Sequence, residues 1–340
     1  MDLEVNAVES IEVTDSAETR INQKKIFRIL SIDGGGIKGL LPATILAELE
    51  KSLPEPLVNY FDLICGASTG AIIALAIAVN KKAAVIKDLY ERNAGKIFKK
   101  KIAPYRFLKI TCGDGGRYSS AVLEQLLKEE FVNEQKKPYL MKDAKTILCI
   151  PAINLTTGNV VVFKSPHMVE IPKRENLTGD ENNEMYKVAM ASCAAPLYFK
   201  TAELKDSFYI DGGLWANNPS LIGIVEAIRC GANLKEIQVL SLGTGSYMFQ
   251  KTQNVAKRMN LFNWDNCGLE LVDVSFEVQS QSVHNHIECL LPGKYLRVQH
   301  IFNPKLAMDD IRRLKDLKAI GHELYKTHGN AMRNFLIPEA

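Results

Sequence analysis

One serine of the sequence lies where a nucleophile could be built. Gly66-Ala67-Ser68-Thr69-Gly70 has the spacing G-x-S-x-G, with the apolar run YFDLIC before it and the apolar run AIIALAIAV after it. A strand–turn–helix at this point would lift the Ser68 hydroxyl above a sheet, and the flanking glycines would leave room for a substrate carbonyl. The helix start also favours developing negative charge. Ser68 is therefore the candidate nucleophile, and the alternative is a serine that only caps a helix.

A glycine-rich segment, DGGGIKG at 33–39, could bind negative charge. The backbone N–H groups of Gly34, Gly35 and Gly36 can form a nest for an oxyanion or for a phosphate. With Gly39, the segment also has the G-x-G-x-x-G spacing of a dinucleotide-binding turn. A dinucleotide site should have an acidic residue at the end of the next strand, but that strand ends in the serine turn. The pattern favours an oxyanion hole.

An aspartate is the candidate base. The run FYID brings Asp211 to Gly212 and Gly213, and an aspartate placed directly against a serine can accept its proton without a histidine. A turn-forming Asp-Gly pair would have the same sequence. A triad with a histidine is the other alternative, although no histidine follows a strand-end glycine turn. The six histidines are His167, His284, His286, His300, His322 and His328.

The elements around these turns predict an α/β fold. FRILSID reads as a buried strand and LLPATILAELEKSL as a helix, and the serine turn lies in a second such unit. Two successive units indicate one domain built on a sheet with helices on its faces. Further strands are expected at KTILCIPAIN, VVVFKS, FYIDGG and IQVLSLGTG, and further helices near 119–131, 184–194, 218–230 and 309–327.

Composition narrows the class of protein. The 340 residues are 46% hydrophobic and 24% charged, as in an ordinary globular protein, and the net charge of +3 argues against binding a nucleic acid polymer. No apolar stretch approaches the roughly 20 residues of a membrane-spanning helix, and no secretory signal is recognisable. Seven cysteines without a C-x-x-C spacing indicate free thiols in a reducing compartment, so a cytoplasmic location is expected.

Two segments suggest contacts with other partners. Residues 81–110 are basic with interleaved aromatic side chains, which is typical of a segment on an anionic bilayer and equally of a solvated helix that covers a core. His284, His286 and Cys289 are the one cluster of metal-ligand types, and they fall short of a closed zinc site. No metal is therefore expected.

Together the three turns resemble a known family. They are similar to the glycine-rich loop, the serine elbow and the D-G-A/G motif of patatin-like phospholipases. ASCAAPLYF and LSLGTG, further along the chain, also resemble segments of that family, so the resemblance runs from about Phe27 to Gly245. The turns that carry it are GGGIKG at 34–39, GASTG at 66–70 and DGG at 211–213.

The resemblance implies a three-layer α/β/α fold with a mainly parallel central sheet. It also implies a dyad of Ser68 as nucleophile and Asp211 as general base, an oxyanion hole at 34–36, and lipid acyl hydrolysis through an acyl-enzyme without metal or cofactor. Lys38 stands where many members have arginine, which keeps the charge but loses the planar fork. It could add positive charge near the oxyanion or be an ordinary solvated lysine. The third motif ends in Gly213 rather than alanine.

The chain is expected to have three parts. A mobile acidic tail is expected over 1–24, a catalytic domain over 25–250, and a helical extension over 251–340 packed on the same domain. FRILSIDGGGIKGLLPATILAELEK and MDDIRRLKDL are similar to bacterial patatin-like effectors of cyclic-nucleotide anti-phage signalling. That similarity implies membrane phospholipid as substrate, a cyclic dinucleotide as activator and peripheral contact with the bilayer during activity. A homo-oligomer is compatible with it. An unregulated acyl hydrolase, or a non-catalytic nucleotide-binding protein, would have the same glycine loop.

Overall fold

The computed structural model describes residues 26–99, 116–166, 179–257 and 269–337. The strands are β1 Phe27–Ile32, β2 Leu63–Gly66, β3 Ile147–Asn154, β4 Asn159–Lys164, β5 Ala202–Leu204, β6 Ser207–Asp211, β7 Ile237–Leu242, β8 Ser246–Tyr247, β9 Tyr295–Val298 and β10 Ile301–Phe302. The helices are α1 Leu40–Lys51, α2 Thr69–Ala78, α3 Ala83–Ile97, α4 Ser120–Glu130, α5 Met185–Cys193, α6 Gly213–Ala216, α7 Ser220–Arg229, α8 Gln253–Ala256, α9 Leu269–Leu290 and α10 Leu314–Leu336. The predicted tail at 1–24 lies outside the described residues.

A central sheet organises the described residues. Its strand order is β5-β6-β3-β2-β1-β7-β9, and β4 pairs with β3 off this path. The neighbours from β3 through β2, β1 and β7 to β9 are parallel, whereas β4, β5 and β6 are joined antiparallel. The prediction of a mainly parallel sheet is confirmed. Within the same ranges, no helix is long and apolar enough to cross a bilayer.

Alternation along the strands separates two apolar layers. In β1, Leu30 and Ile32 face a core shared with α1, α2 and α10, while Ile29 faces a second core shared with α7 and α9. Successive strand residues point to opposite faces, so a strand buried on both sides must be apolar throughout, as FRILSI nearly is. Helices therefore cover both faces of the sheet, and the expected three-layer α/β/α arrangement is confirmed.

Strand β3 brings the serine turn and the aspartate turn together. β4 pairs along one edge of β3, so β2 and β6 share the other edge. On that edge, β2 pairs with β3 as far as Cys149, and β6 pairs with it from Ala152 onward. These two strands run in opposite directions, and their C-terminal ends face each other across the gap at Pro151. Ser68 follows the end of β2 and Asp211 ends β6. A proline fits this gap because it has no N–H to pair.

The strands and helices predicted before residue 245 are all present, and the last predicted helix continues to Leu336. The segment 251–340 needs correction, because it is not purely helical. Its β9 pairs with β7 as an edge strand of the central sheet. YLRV lacks a long apolar run, since an edge strand is only partly buried, and the sequence pattern therefore did not reveal it. The helix α9 was also not predicted.

Candidate active site

Ser68 sits in a strained turn between β2 and α2. Its φ of 52° and ψ of −123° are unusual for a residue with a side chain, and such a conformation costs roughly 1–3 kcal/mol. Its N–H donates to Ser192 Oγ at 3.0 Å, and Ser192 Oγ donates to the Pro151 carbonyl at 2.7 Å. The turn is thus held against the gap in β3. The strained turn aims the hydroxyl at the end of the sheet, where Ser68 is almost completely buried.

The glycines on either side of Ser68 permit close backbone contacts. A Cβ added to Gly66 would lie 2.2 Å from the Gly70 carbonyl oxygen, and a Cβ added to Gly70 would lie 2.2 Å from the Ile32 carbonyl oxygen. Both distances are far below a normal contact between carbon and oxygen. The G-x-S-x-G spacing is therefore a packing requirement of the turn. Gly39 lies against Thr69 and Gly212 lies against the Pro151 carbonyl in the same region.

The Ser68 hydroxyl donates to Asp211. The distance from Ser68 Oγ to Asp211 Oδ2 is 2.7 Å, and the Gly213 N–H donates to Asp211 Oδ1 at 2.7 Å. Asp211 is completely buried, and this burial raises its pKa to about 7, although both hydrogen bonds favour the charged form. A carboxylate of this pKa, in contact with a hydroxyl, is suited to accept a proton near neutral pH.

No described histidine contributes to this pair. His284 lies near Glu288, the His300 ring packs on Phe302, and His322 lies near Glu48. None of the described histidines lines the cavity at Ser68. His167 lies outside the described residues. Over the described part of the chain, the geometry brings together a serine and an aspartate and offers no relay histidine.

The glycine loop faces Ser68, and its donors are not equivalent. The Gly34 N–H donates to the Asn217 carbonyl at 3.0 Å, and the Ile37 N–H donates to the Met308 carbonyl at 2.9 Å. Gly34 is therefore corrected: its N–H is engaged within the fold and is not available to an oxyanion. Neither Gly35 nor Gly36 donates its N–H to another described residue. These two donors, beside the start of α2, are the ones open to a ligand.

Lys38 is not an ordinary solvated lysine. Its side chain is half-buried beside Gly35, and desolvation lowers its pKa, opposed by the charges of Asp273 and Glu277. It shares a small pocket with Asp33 and Lys305 and does not line the cavity at Ser68. The lysine is thus a half-buried charge within a cluster of acidic and basic side chains. Its contribution of positive charge near the oxyanion stays a prediction.

A buried ion pair fixes the strand that leads into the loop. Arg297 of β9 donates to both carboxylate oxygens of Asp33, at 2.8 Å for Nη1 to Oδ1, and Ser280 Oγ donates to Asp33 at 2.9 Å. Sequence reasoning missed this pair because Arg297 lies 264 positions away in a strand that was not predicted. Only the fold brings it under the glycine loop.

An apolar cavity opens beside Ser68. Gly36 of the glycine loop and Cys193 of α5 also line it. Its enclosed volume, about 50 Å³, is small beside the roughly 300–1,000 Å³ of common ligand sites. The cavity has the chemistry to hold an acyl chain, but a long chain requires its walls to move. Those walls include Ile72, Tyr90, Ala94, Ile97, Phe98, Leu123, Tyr198, Phe199 and Met308.

Two further predictions concern the basic segment and a metal site. The described part of the basic segment, 81–99, contains α3, which buries Ile86, Tyr90 and Ala94 in the core. The remainder, from 100 to 110, lies outside the described residues, so membrane contact stays a prediction. Among the described residues there is no group of three potential metal ligands, and the described cysteines are unpaired thiols.

With this geometry in place, comparison with known proteins is decisive. The family model for patatin-like phospholipases matches residues 30–223, more than half of the chain. The chain belongs to the patatin-like phospholipase family. It is therefore a serine hydrolase of the lipid acyl hydrolase class, and the predicted resemblance is confirmed.

Several relatives span most of this phospholipase. A cGAMP-activated phospholipase of Pseudomonas aeruginosa is 29% identical, covering 89% of this chain and 87% of the relative. Patatin-like protein 2 of Arabidopsis thaliana is 30% identical, covering 88% and 82%. A cUMP-AMP-activated phospholipase of Escherichia coli is 28% identical, covering 94% and 97%.

Proposed function

We propose that the protein cleaves the acyl esters of membrane phospholipids with Ser68 as nucleophile and Asp211 as general base. The observation that carries this proposal is the 2.7 Å hydrogen bond from Ser68 Oγ to Asp211 Oδ2 at an apolar cavity. The buried Asp211 carboxylate, whose pKa is raised, accepts the hydrogen bond of this hydroxyl. The Ser68 proton therefore passes directly to Asp211.

The reaction proceeds in two halves. Ser68 Oγ attacks the ester carbonyl while Asp211 takes the hydroxyl proton, and the N–H groups of Gly35 and Gly36 stabilise the resulting oxyanion. Collapse of this intermediate expels the lysophospholipid alkoxide, which takes the proton from Asp211, and leaves an acyl ester on Ser68. A water molecule then attacks the acyl ester while Asp211 accepts its proton. Collapse of this second intermediate breaks the bond to Ser68 Oγ, which takes the proton back from Asp211, and the fatty acid is released.

A cyclic dinucleotide activates this hydrolysis during anti-phage defence. Support comes from two relatives that span most of the chain and are named for activation by cGAMP or by cUMP-AMP. The small cavity at Ser68 also supports a step that enlarges the site before a long acyl chain binds. The protein works from the cytoplasm and binds the bilayer peripherally when it is active.

Fatty-acid release tests this function. Liposomes of phosphatidylethanolamine and phosphatidylglycerol are incubated with wild-type protein, Ser68→Ala and Asp211→Asn, each with and without cGAMP or cUMP-AMP, and free fatty acids are quantified by mass spectrometry. We expect release by the wild type, stimulated by one nucleotide, and none by either variant. Release that persists in Asp211→Asn at the wild-type rate would contradict the dyad, and release indifferent to both nucleotides would contradict the activation.

A further inference from the structure

A second, larger recess lies on the other side of the aspartate turn. It is bordered by β4, α6, α7 and α9, encloses about 800 Å³, and shares no lining residue with the cavity at Ser68. We call it the α7–α9 groove. Leu221 and Val225 of α7 and Val278 of α9 line it and are substantially exposed. Its volume falls within the range of small-molecule sites, which are mostly apolar with a few placed polar groups.

Two basic side chains stand at one end of this groove. Lys164 of β4 and Arg229 of α7 both form ion pairs with Glu226, whose side chain is almost completely buried. The distance from Arg229 Nη1 to Glu226 Oε2 is 3.3 Å. Two cations thus share the Glu226 carboxylate beside the apolar wall, and Lys164 also interacts electrostatically with Asp180, which does not line the groove. The indole of Trp215, from α6, lines the same groove. Two cations in the lining, an aromatic face and an apolar bed complement a ligand with anionic phosphates and flat bases.

We propose that the α7–α9 groove binds the activating cyclic dinucleotide. The phosphodiester groups lie toward Arg229 and Lys164, and the bases pack on Trp215 and the apolar side chains of Val225 and Val278. The assignment rests on the proposed activation and adds its site. An acyl chain would use the apolar bed but leave the cations unused, so the charge at the end of the groove favours the nucleotide.

The groove is connected to the base through α6. That helix begins at Gly213, whose N–H holds Asp211 Oδ1 at 2.7 Å. Two residues later, Trp215 Nε1–H donates to the Ala152 carbonyl at 3.1 Å, and Ala152 is the partner of Asp211 in the β3–β6 register. A ligand that shifts Trp215 therefore shifts the segment that orients the Asp211 carboxylate.

The groove is also connected to the glycine loop through α9. One side of this helix presents Val278 and Gln279 to the groove. Its other side carries Ser280, which donates to Asp33 at 2.9 Å, and Glu277, whose charge acts on Lys38 of the loop. Movement of α9 on ligand binding would reach both halves of the catalytic site, because α9 and α6 are in contact.

Filling the groove provides the first test. Val225→Trp places a large side chain at an exposed position inside the groove, and Ile337→Trp makes a similar change at an exposed position outside it. Binding of cGAMP and cUMP-AMP to the full-length chain is measured by titration calorimetry, and fatty-acid release is measured across nucleotide concentrations. For the nucleotide that activates the wild type, we expect Val225→Trp to weaken binding and raise the half-activating concentration at least about tenfold. Ile337→Trp should match the wild type.

Two substitutions distinguish nucleotide binding in the groove from the transmission of its effect to the catalytic site. Arg229→Gln removes one of the two cations that line the groove and should weaken nucleotide binding by about tenfold, in a salt-dependent manner. Trp215→Phe keeps an aromatic face but loses the hydrogen bond to Ala152, so it should bind nucleotide within a few-fold of the wild type and lose most of the stimulation. Retained stimulation in Trp215→Phe would overturn the proposed connection.

The outcomes distinguish this site from the activation itself. If a nucleotide stimulates the wild type and Val225→Trp at the same half-activating concentration, the groove assignment is overturned while activation stands. If neither nucleotide binds or stimulates the wild type, both are overturned. An unchanged nucleotide response with an altered sedimentation coefficient in Val225→Trp would also overturn the assignment, and would identify the groove as a contact between copies.

Discussion

At the scale of single residues, the environment of Asp211 determines how the enzyme responds to pH. The carboxyl is fully buried, and loss of hydration raises its pKa to about 7, compared with about 3.9 for an exposed aspartate. The Ser68 hydroxyl and the Gly213 N–H donate to it and oppose this rise. The base therefore changes its charge near neutral pH, and both activity and stability should follow that change.

The first prediction concerns rate. For a soluble ester substrate, we expect kcat/KM to increase with pH through about 7, because Asp211 must be ionised in the free enzyme to accept the Ser68 proton. The measurement is a steady-state pH profile from which the rate of spontaneous ester hydrolysis without enzyme is subtracted. Ser68→Ala serves as the inactive control. A rising limb centred near pH 4, or no limb between about pH 5 and about pH 9, would show that Asp211 does not limit the reaction in this way.

The second prediction concerns stability. The pKa of Asp211 is higher in the folded state than in the unfolded state, so its contribution is fully present at low pH and is lost as pH rises through about 7. The difference of about three pKa units corresponds to roughly 4 kcal/mol. We expect Asp211→Asn to be more stable than the wild type at pH 8, with a smaller difference at pH 5, in thermal unfolding measurements. A lower Tm for Asp211→Asn at pH 8 would contradict this expectation.

At the scale of elements, the turns after β1 and β2 form because glycines allow backbone segments to touch. The contact between Gly70 and the Ile32 carbonyl joins the serine turn to the end of β1. It places the start of α2 beside the glycine loop, where its N-terminal N–H groups add positive potential at the site. The elbow and the oxyanion donors are therefore positioned by one packing contact.

A matched pair of glycine substitutions tests this packing. Gly70→Ala would place Cβ 2.2 Å from the Ile32 oxygen, whereas a Cβ at Gly95, in α3, would meet nothing within 4 Å. We expect Gly70→Ala to lower the free energy of unfolding by more than about 2 kcal/mol and to abolish activity. Gly95→Ala should raise it by about 0.5–1 kcal/mol. Urea denaturation measures both, and equal effects of the two substitutions would show that the serine turn can relax.

The elements that carry the site were predictable from local patterns. Ser68, Asp211 and the glycine loop each follow a short apolar strand, and an apolar run that ends in glycines is readable without the fold. The engagement of the Gly34 N–H and the partial burial of Lys38 were not predictable, because their partners are Asn217 and residues of α9, brought in by tertiary packing. The hydrophobic periodicity of α9 was hard to recognise because polar residues on one side of this helix belong to the buried polar cluster.

At the scale of the whole molecule, the C-terminal region completes the catalytic sheet. Strand β9 adds to the edge at β7 and delivers Arg297 to Asp33, the residue directly before the glycine loop. Met308 from the same region accepts the Ile37 N–H with its carbonyl. Residues after 250 therefore hold the oxyanion loop in place, although no recognisable catalytic motif lies among them.

The Arg297–Asp33 pair tests this role. Arg297→Gln leaves a buried carboxylate unpaired, which costs about 3–5 kcal/mol, and should also reduce kcat as the loop shifts. Asp33→Asn combined with Arg297→Gln removes both charges and should recover much of the lost stability in thermal unfolding. If the double variant is no more stable than Arg297→Gln, the loss arises from packing of the arginine and not from the unpaired charge.

The measurement that tests the central claim most directly is the site of acylation. The wild type, Ser68→Ala and Asp211→Asn are reacted with a p-nitrophenyl acyl ester, quenched in acid, and analysed by intact mass and peptide mass spectrometry. We expect one acyl group on the wild type, located on Ser68, and none on Ser68→Ala or Asp211→Asn. An acyl group on Cys193, which lines the same cavity, or turnover without any acyl group on Ser68, would contradict a mechanism in which Ser68 is the nucleophile.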